Sequence, residues 1–311
     1  MQAIVQETFG GPDILTVAEV PRPEPGPAEV LVRVCAVGVN PTDLWHRASG
    51  GLAGGETPIR LGWDVSGVVE AVGLGVTIFE PGDEVFGLPR HPHPAGTYAE
   101  YVTSPARHLV RKPSSIPHAE AAALPLAALT AWQALVDTAD VQPGQRVLIH
   151  AAAGGVGHLA VQIAKARGAY VIGTARSAKH EFVRGLGADE VIDYTQVDFT
   201  TVAHDIDVVL DAVGGEYGPR SLTVLRAGGV LVSLASPAEA YLADEARRLG
   251  LRAAFMIVEA DRAGMREIAA LVESGRLRPQ IDTILPLELA RLAHELSHSG
   301  RIAGKIVLTV G

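Results

Sequence analysis

The sequence predicts an α/β protein in two parts, a small irregular β unit and a doubly wound domain built on a parallel sheet. Three observations carry that prediction. The chain has 311 residues, about twice the ~150 residues usual for one domain. Residues 1 to about 115 alternate short β-like runs with Gly and Pro turns, as small all-β units do. From about residue 117, apolar strands alternate with Ala-rich helical stretches, the pattern of βαβ crossovers around a sheet buried on both faces.

Taken in order, the β-like runs of the first part lie at residues 2–5, 30–34, 65–69 and 98–102. In the second part, strands are predicted at 146–150, 170–174, 208–211 and 230–234, with helices between them. The tail reads as an apolar run at 253–257, a helix at 263–274, a strand-like run at 281–285, a helix at 289–297 and a last strand at 305–309. Pattern leaves two placements open for this tail: it extends the parallel sheet, or it returns to complete the β unit.

Apolar residues make up 48% of the chain and charged residues 20%, a folded rather than disordered composition. The single cysteine, Cys35, excludes an intramolecular disulfide framework and fits the cytoplasm. No run approaches ~18 uninterrupted apolar residues; the longest, residues 119–136, is broken by Glu120, Pro125, Thr130 and Gln133. The first residues lack a basic stretch followed by an apolar one, so no secretory signal is expected. A net charge of −9 argues against nucleic acid as a partner, because phosphate-backbone binders collect Lys and Arg.

The stretch richest in chemistry is Val147 to Gly157, an apolar strand, the turn Ala151-Ala152-Ala153-Gly154-Gly155-Val156-Gly157, and a helix opening at the last glycines. A pyrophosphate can sit on backbone amides at a helix N-terminus only where no Cβ intervenes, and Gly154, Gly155 and Gly157, with Val156 between them, leave that approach open. The turn is thus read as a dinucleotide seat. The second strand ends at Thr174, where an NAD site would next place Asp or Glu for the ribose 2′-hydroxyl. Here the chain reads Ala175-Arg176-Ser177-Ala178-Lys179-His180, and no acid follows until Glu181. Arg176, Lys179 and the Ser177 hydroxyl suit a 2′-phosphate, so NADPH is expected over NADH. Val213 and Gly214 follow the fourth strand and Leu234 the fifth, at the carboxyl ends where doubly wound proteins bind ligands.

Nine segments in one order give the chain a family resemblance over nearly its whole length. They are Gly38-Val39-Asn40-Pro41-Thr42-Asp43, Gly62-Trp63-Asp64 with the strand after it, Gly96-Thr97-Tyr98-Ala99-Glu100-Tyr101, Leu129-Thr130-Ala131-Trp132, the glycine turn, Leu186-Gly187-Ala188-Asp189, Ile192-Asp193-Tyr194, Asp211-Ala212-Val213-Gly214-Gly215 and Gly300 to Leu308. Together they resemble the zeta-crystallin-like, zinc-independent quinone oxidoreductase branch of the medium-chain dehydrogenase/reductase superfamily. The resemblance implies a GroES-like catalytic domain, residues 1–120 and 258–311, with a Rossmann NADP-binding domain, residues 121–257, inserted between. It implies a homodimer as well.

Zinc-dependent relatives place a Cys ligand where this chain has Asn40 and a His ligand where it has Trp63, so no metal is expected. His91 and His93, with Pro92 and Pro94 around them, are read as part of a solvent-exposed loop. Read alone, Asn40-Pro41 is a turn initiator; by resemblance Asn40 lies near the nicotinamide and orients ring or substrate oxygen. The resemblance likewise makes Thr130 a nicotinamide-side hydroxyl, Tyr194 an adenosine-phosphate contact, and Lys305, with Arg301, a group reaching the coenzyme from the returning segment. His46 is the nearest proton donor in sequence, with a side chain suited to acid–base work. Residues 44–57, with Gly50, Gly51, Gly54 and Gly55, are expected to form a mobile loop that sets selectivity.

Without a Lewis acid, alcohol oxidation is disfavoured and hydride addition to a quinone or activated enone is the easier reaction. The expected activity is therefore NADPH-dependent reduction of such small molecules. A pathway-specific enoyl or enone reductase and a non-catalytic NADP(H)-binding sensor are the alternatives.

Overall fold

The computed structural model describes residues 1–51 and 57–311. Gly54 and Gly55 of the predicted mobile loop lie outside the described residues. The chain divides into two compact units: Met1–Leu129, Val258–Gly275 and Pro279–Gly311 form the first, and Thr130–Ile257 with Arg276–Arg278 the second.

The first unit is β-rich. Its larger sheet runs in the order Ile281–Pro286, Lys305–Thr309, Glu29–Val39, Val65–Val72, Glu84–Gly87 and Leu109–Arg111, with Tyr101–Pro105 pairing on Glu29–Val39. Glu29–Val39 forms the spine because Val30, Val32 and Val34 recur at every second position, the spacing that puts β-branched side chains on one face. They bury against Ile4, Val65, Val85, Tyr98, Val102, Leu109, Ile306 and Leu308. A small sheet of Thr16–Glu19, Gln2–Gln6 and Ile59–Arg60 accompanies it. The last strand pairs antiparallel with the spine, Ile306 opposite Val39 and Thr309 opposite Ala36. The tail therefore returns to the β unit, and that return sets Lys305 beside Asn40.

Two differences from the sequence reading stand out in this unit. Residues Pro41–Ser49 form a helix ended by left-handed Gly50, so the predicted loop is regular over its first part. His91 is buried, only 7% exposed, rather than in a solvent-exposed loop; its Nδ1 lies 2.8 Å from the Val258 carbonyl oxygen and its ring meets Trp63 edge-on.

The second unit holds a six-stranded parallel sheet in the order Glu190–Ile192, Tyr170–Thr174, Arg146–Ile149, Ile206–Asp211, Leu225–Ser233 and Arg252–Phe255. Numbered along this unit, that is 3-2-1-4-5-6, the order of a dinucleotide-binding Rossmann domain, so the chain has the expected α/β fold class. The central strands are buried on both faces, with Leu148, Ile172, Val209 and Leu231 meeting Phe199 and Leu222 in the core. Strand order reverses between Arg146–Ile149 and Ile206–Asp211, which makes their carboxyl ends the crevice for a ligand.

One glycine shows how closely the first unit is packed. At Gly38 a Cβ would lie under 3.0 Å from both Asp64 Oδ2 and the Ala122 carbonyl oxygen. Gly38→Ala should lower unfolding free energy in urea by about 1–3 kcal/mol. Gly185→Ala, at a helical site where a Cβ meets nothing within 4 Å, should leave it unchanged or raise it by up to about 1 kcal/mol.

Candidate active site

In the second unit, the Arg146–Ile149 strand passes through His150 into the turn that precedes the helix Gly157–Ala166. Ala151 sits in the left-handed region at φ 51°. Thr174, at the end of the neighbouring strand, holds this bend: its hydroxyl accepts the Ala151 N–H at 3.2 Å and its carbonyl the Ala152 N–H at 3.0 Å. His150 braces the turn from behind, Nδ1 3.3 Å from Thr174 Oγ1 and Nε2 3.0 Å from Ser221 Oγ. Burial, with Arg220 nearby, pushes its pKa down to about 3, so the brace is neutral. A Cβ on Gly157 would lie under 3.0 Å from the Ala151 carbonyl oxygen and Ala152 Cα. That approach lets the helix begin directly against the turn.

The helix starts with no side chain capping it; the N–H groups of His158 and Leu159 go to the Gly154 and Val156 carbonyls, and that of Gly154 to the Ala151 carbonyl. Gly154, Gly155 and Val156 around them are partly exposed. The amides of Gly155, Val156 and Gly157, at the positive end of a ten-residue helix, fit a pyrophosphate. The turn passes the chemical test for a dinucleotide seat, with Thr174 shaping it from the buried side.

Beyond the second and third strands, the Arg176 guanidinium donates from Nε to the Tyr194 hydroxyl at 3.0 Å, so two residues expected to contact the coenzyme stand together. Ser177 is tied to Asp193, which accepts from its hydroxyl and, at 3.1 Å, from its N–H. Asp193 also takes the N–H and hydroxyl of Thr195 at 2.9 and 2.7 Å. The Ser177 hydroxyl foremost, then those of Thr195, hold this carboxyl well below the usual carboxylate range. Inspecting only the residues after the second strand missed this acid, because it arrives from the third. Four donors fill its oxygens, so Asp193 serves as a clasp between the two loops. Lys179 follows, its N–H on the Arg176 carbonyl.

At the fourth strand's end, buried Asp211 accepts the N–H groups of Val213 and Gly214 at 2.8 and 3.0 Å. Glu239 accepts the Gly215 N–H at 2.7 Å and the Ser233 hydroxyl. These acids fix the segment's amides and leave the Val213 side chain 45% exposed. Half-buried Leu234 donates its N–H to the Asp211 carbonyl at 2.8 Å. Thr130 is buried on the helix Pro125–Trp132.

In the first unit, Asn40 is 1% exposed. Its Nδ2 donates to Asp64 Oδ2 at 2.9 Å, and its Oδ1 accepts from the Lys305 ammonium. Lys305 also donates to the Val39 carbonyl at 3.0 Å and pairs with Asp64 Oδ2 at 3.4 Å. Lys305 is thus buried and turned inward onto Asn40. His46, the predicted proton donor, is buried with its ring edge-on to Trp63 at 5.3 Å. Burial lowers its pKa, so at neutral pH it is an uncharged imidazole. Its Nε2 has no hydrogen-bond partner among the described residues. Trp63 donates its indole N–H to the His93 carbonyl at 2.8 Å. Among the described residues no group of three or more His, Cys, Asp or Glu side chains is placed to hold a metal ion.

Sequence reasoning left Asp43 and Asp64 without a role. Asp43 Oδ2 accepts the Asn40 N–H at 2.8 Å. Burial foremost, with the Asp64 charge adding, pushes its pKa up to about 7 from 3.8. Between those values the folded state keeps a proton that the unfolded chain has released, so this group's effect on stability falls as pH rises from about 4 to about 7. Asp43→Asn should remove that slope. Its stability relative to the parent should rise by up to about 4 kcal/mol across the interval, in denaturant titrations at stepped pH.

Comparison with known proteins places these features. An alcohol dehydrogenase GroES-like domain profile matches residues 26–114, and a profile described as zinc-binding dehydrogenase matches residues 186–308. A 2-haloacrylate reductase from Burkholderia sp. is 36% identical over 99% of this chain and 98% of its own length. The structure of the quinone oxidoreductase from Coxiella burnetii superposes with a TM-score of 0.95 at 36% identity, covering 100% of this chain and 99% of that one. Escherichia coli quinone oxidoreductase complexed with NADPH gives 0.87 at 28% identity, covering 99% and 100%. With a Rossmann unit, a GroES-like unit and full-length similarity of this degree, the chain belongs to the quinone oxidoreductase branch of the medium-chain dehydrogenase/reductase superfamily.

Proposed function

We propose that this chain is an NADPH-dependent reductase of quinones and activated α,β-unsaturated carbonyl compounds that works without a metal ion. The observation that carries this reading is the Asn40 cluster. Where the zinc-dependent branch would carry a thiolate, this chain has an amide held by Lys305 and Asp64, and a buried Trp63 stands in the place of the histidine ligand. An amide and an indole are no ligand set for zinc.

Bound NADPH would supply hydride from C4 of its nicotinamide. The turn at Gly154, Gly155, Val156 and Gly157 would hold its pyrophosphate, with Arg176, Ser177, Lys179 and Tyr194 around the 2′-phosphate. Val213, Gly214, Leu234 and Thr130 are assigned to the nicotinamide half. On an enone reduced at its β-carbon, charge would gather on the carbonyl oxygen, and an N–H of Asn40 would stabilise that oxygen. The α-carbon would then take a proton originating in solvent; burial lowers the His46 pKa, which disfavours an imidazolium donor there. A quinone accepts hydride in the same way and leaves as hydroquinone. The similar proteins support this acceptor range: one is a 2-haloacrylate reductase and another a quinone oxidoreductase complexed with NADPH. A homodimer in the cytoplasm accompanies the reading, from the family resemblance and the single Cys35; no helix among the described residues is long and apolar enough to cross a membrane.

The test is coenzyme oxidation by NADPH and NADH against quinones, enals, enones, 2-haloacrylates and an enoyl thioester, before and after dialysis against a chelator. Turnover of a quinone or enone with NADPH, unaffected by the chelator, is expected. Tight NADPH binding with no turnover on any acceptor would establish the sensor instead, and zinc-restorable loss would overturn metal independence. Arg176→Ala should raise the NADPH KM by about tenfold, the loss of one charge-assisted contact, with no comparable change for NADH.

A further inference from the structure

We propose that Lys305 and Asp64 are positioning residues that lock the Asn40 carboxamide in one flip, so that a single N–H of that amide is offered to the reacting molecule. The inference rests on the reading of Asn40 given above. The two ends of a carboxamide have nearly the same shape and opposite hydrogen-bonding character. An ammonium has only donors, so the end beside Lys305 is the oxygen; an ionised carboxylate only accepts, so the end beside Asp64 is the NH₂. Turning the amide over would press N–H against ammonium and oxygen against carboxylate, with both charges buried and without solvent to screen them.

The lock is itself fixed from several sides. The three donors of Lys305 go to the Val39 carbonyl, Asn40 Oδ1 and Asp64 Oδ2, which leaves none for a coenzyme. Asp64 Oδ1 accepts the Leu126 N–H at 2.7 Å, at the start of the helix Pro125–Trp132. Gly38 supplies the space in which Asp64 Oδ2 sits. Asn40 Nδ2 has two hydrogens, of which Asp64 takes one; the other has no partner among the described residues. Lysine suits this place because its ammonium is a compact charge with three donors on a flexible stem, where a guanidinium is a planar fork.

Asn40 is the sole asparagine in the chain, so selective ¹⁵N-asparagine labelling gives one side-chain amide signal pair in NMR. In the parent protein that pair should exchange slowly with water, and addition of NADP⁺ should shift it. Lys305→Met should move the pair and speed its exchange by about tenfold or more. In steady state, Lys305→Met and Asn40→Ala should each lower kcat by about tenfold, the acceptor KM and the NADPH Kd from fluorescence titration changing by no more than about threefold. Their effects should not multiply: the double variant should turn over no more slowly than Asn40→Ala alone.

Multiplicative losses, or an unmoved amide signal in Lys305→Met, would overturn the lock. Parent-like turnover in Asn40→Ala would instead overturn the reading of Asn40, with the amide signal still deciding whether Lys305 fixes it. Should Lys305→Met not fold, Lys305→Gln and Asp64→Asn carry the same measurements: Gln can still donate to Asn40 and should keep most of the slow exchange, whereas Asp64→Asn should lose it.

Discussion

Between the Ala151 carbonyl and Gly157 there is no room for a side chain, and the architecture of the second unit follows from that close approach. Because the backbones meet, the helix starts within a few residues of the first strand and begins without a capping side chain. The positive end of the helix dipole and the amides of Gly155, Val156 and Gly157 thereby form a place that suits an anion. Everything nearby maintains this bend. The Thr174 hydroxyl and carbonyl hold Ala151 and Ala152, and a buried neutral His150 joins Thr174 to Ser221. An imidazolium here would place an unpaired charge in the interior near Arg220, so burial favours the neutral form.

The first unit meets the opposite demand, a charged cluster that must be kept dry. A buried ion pair gains little net stability, because desolvation offsets the attraction between the charges. Lys305 and Asp64 nevertheless occupy the interior at the point where the last strand returns to Glu29–Val39. Their value is geometric, in fixing one amide, and the unusual protonation of Asp43 beside them follows from the same crowding of acids in an apolar shell.

Much of this was legible in the sequence where the physics is local. Apolar strands beside Ala-rich helices announced the parallel sheet, and small residues between the first strand and its helix announced the tight turn. The pairing of Arg176 with Tyr194 was approached from both ends by separate motifs. Glu190–Ile192 went unread as a strand because only three residues pair, with Ile192 alone buried. His91 was misjudged because its flanking prolines suggested exposure, whereas a carbonyl and an indole edge receive its ring. The Lys305–Asp64 pair spans 241 residues, and periodicity holds no signal for a contact made by a returning strand. Asp193, Asp211 and Glu239 were hidden for a related reason: each is an acid that satisfies loop amides, which only the folded backbone brings into reach.

The central claim is that hydride passes directly to an electron-poor carbon while the proton originates in solvent. Single turnover of a cyclic enone with NADPH deuterated at C4 of the transferred face, in metal-free buffer, tests it most directly. Deuterium found by NMR at the β-carbon, with solvent hydrogen at the α-carbon, is the predicted result. A product with no deuterium at carbon, or label scrambled between the two positions, would contradict the account.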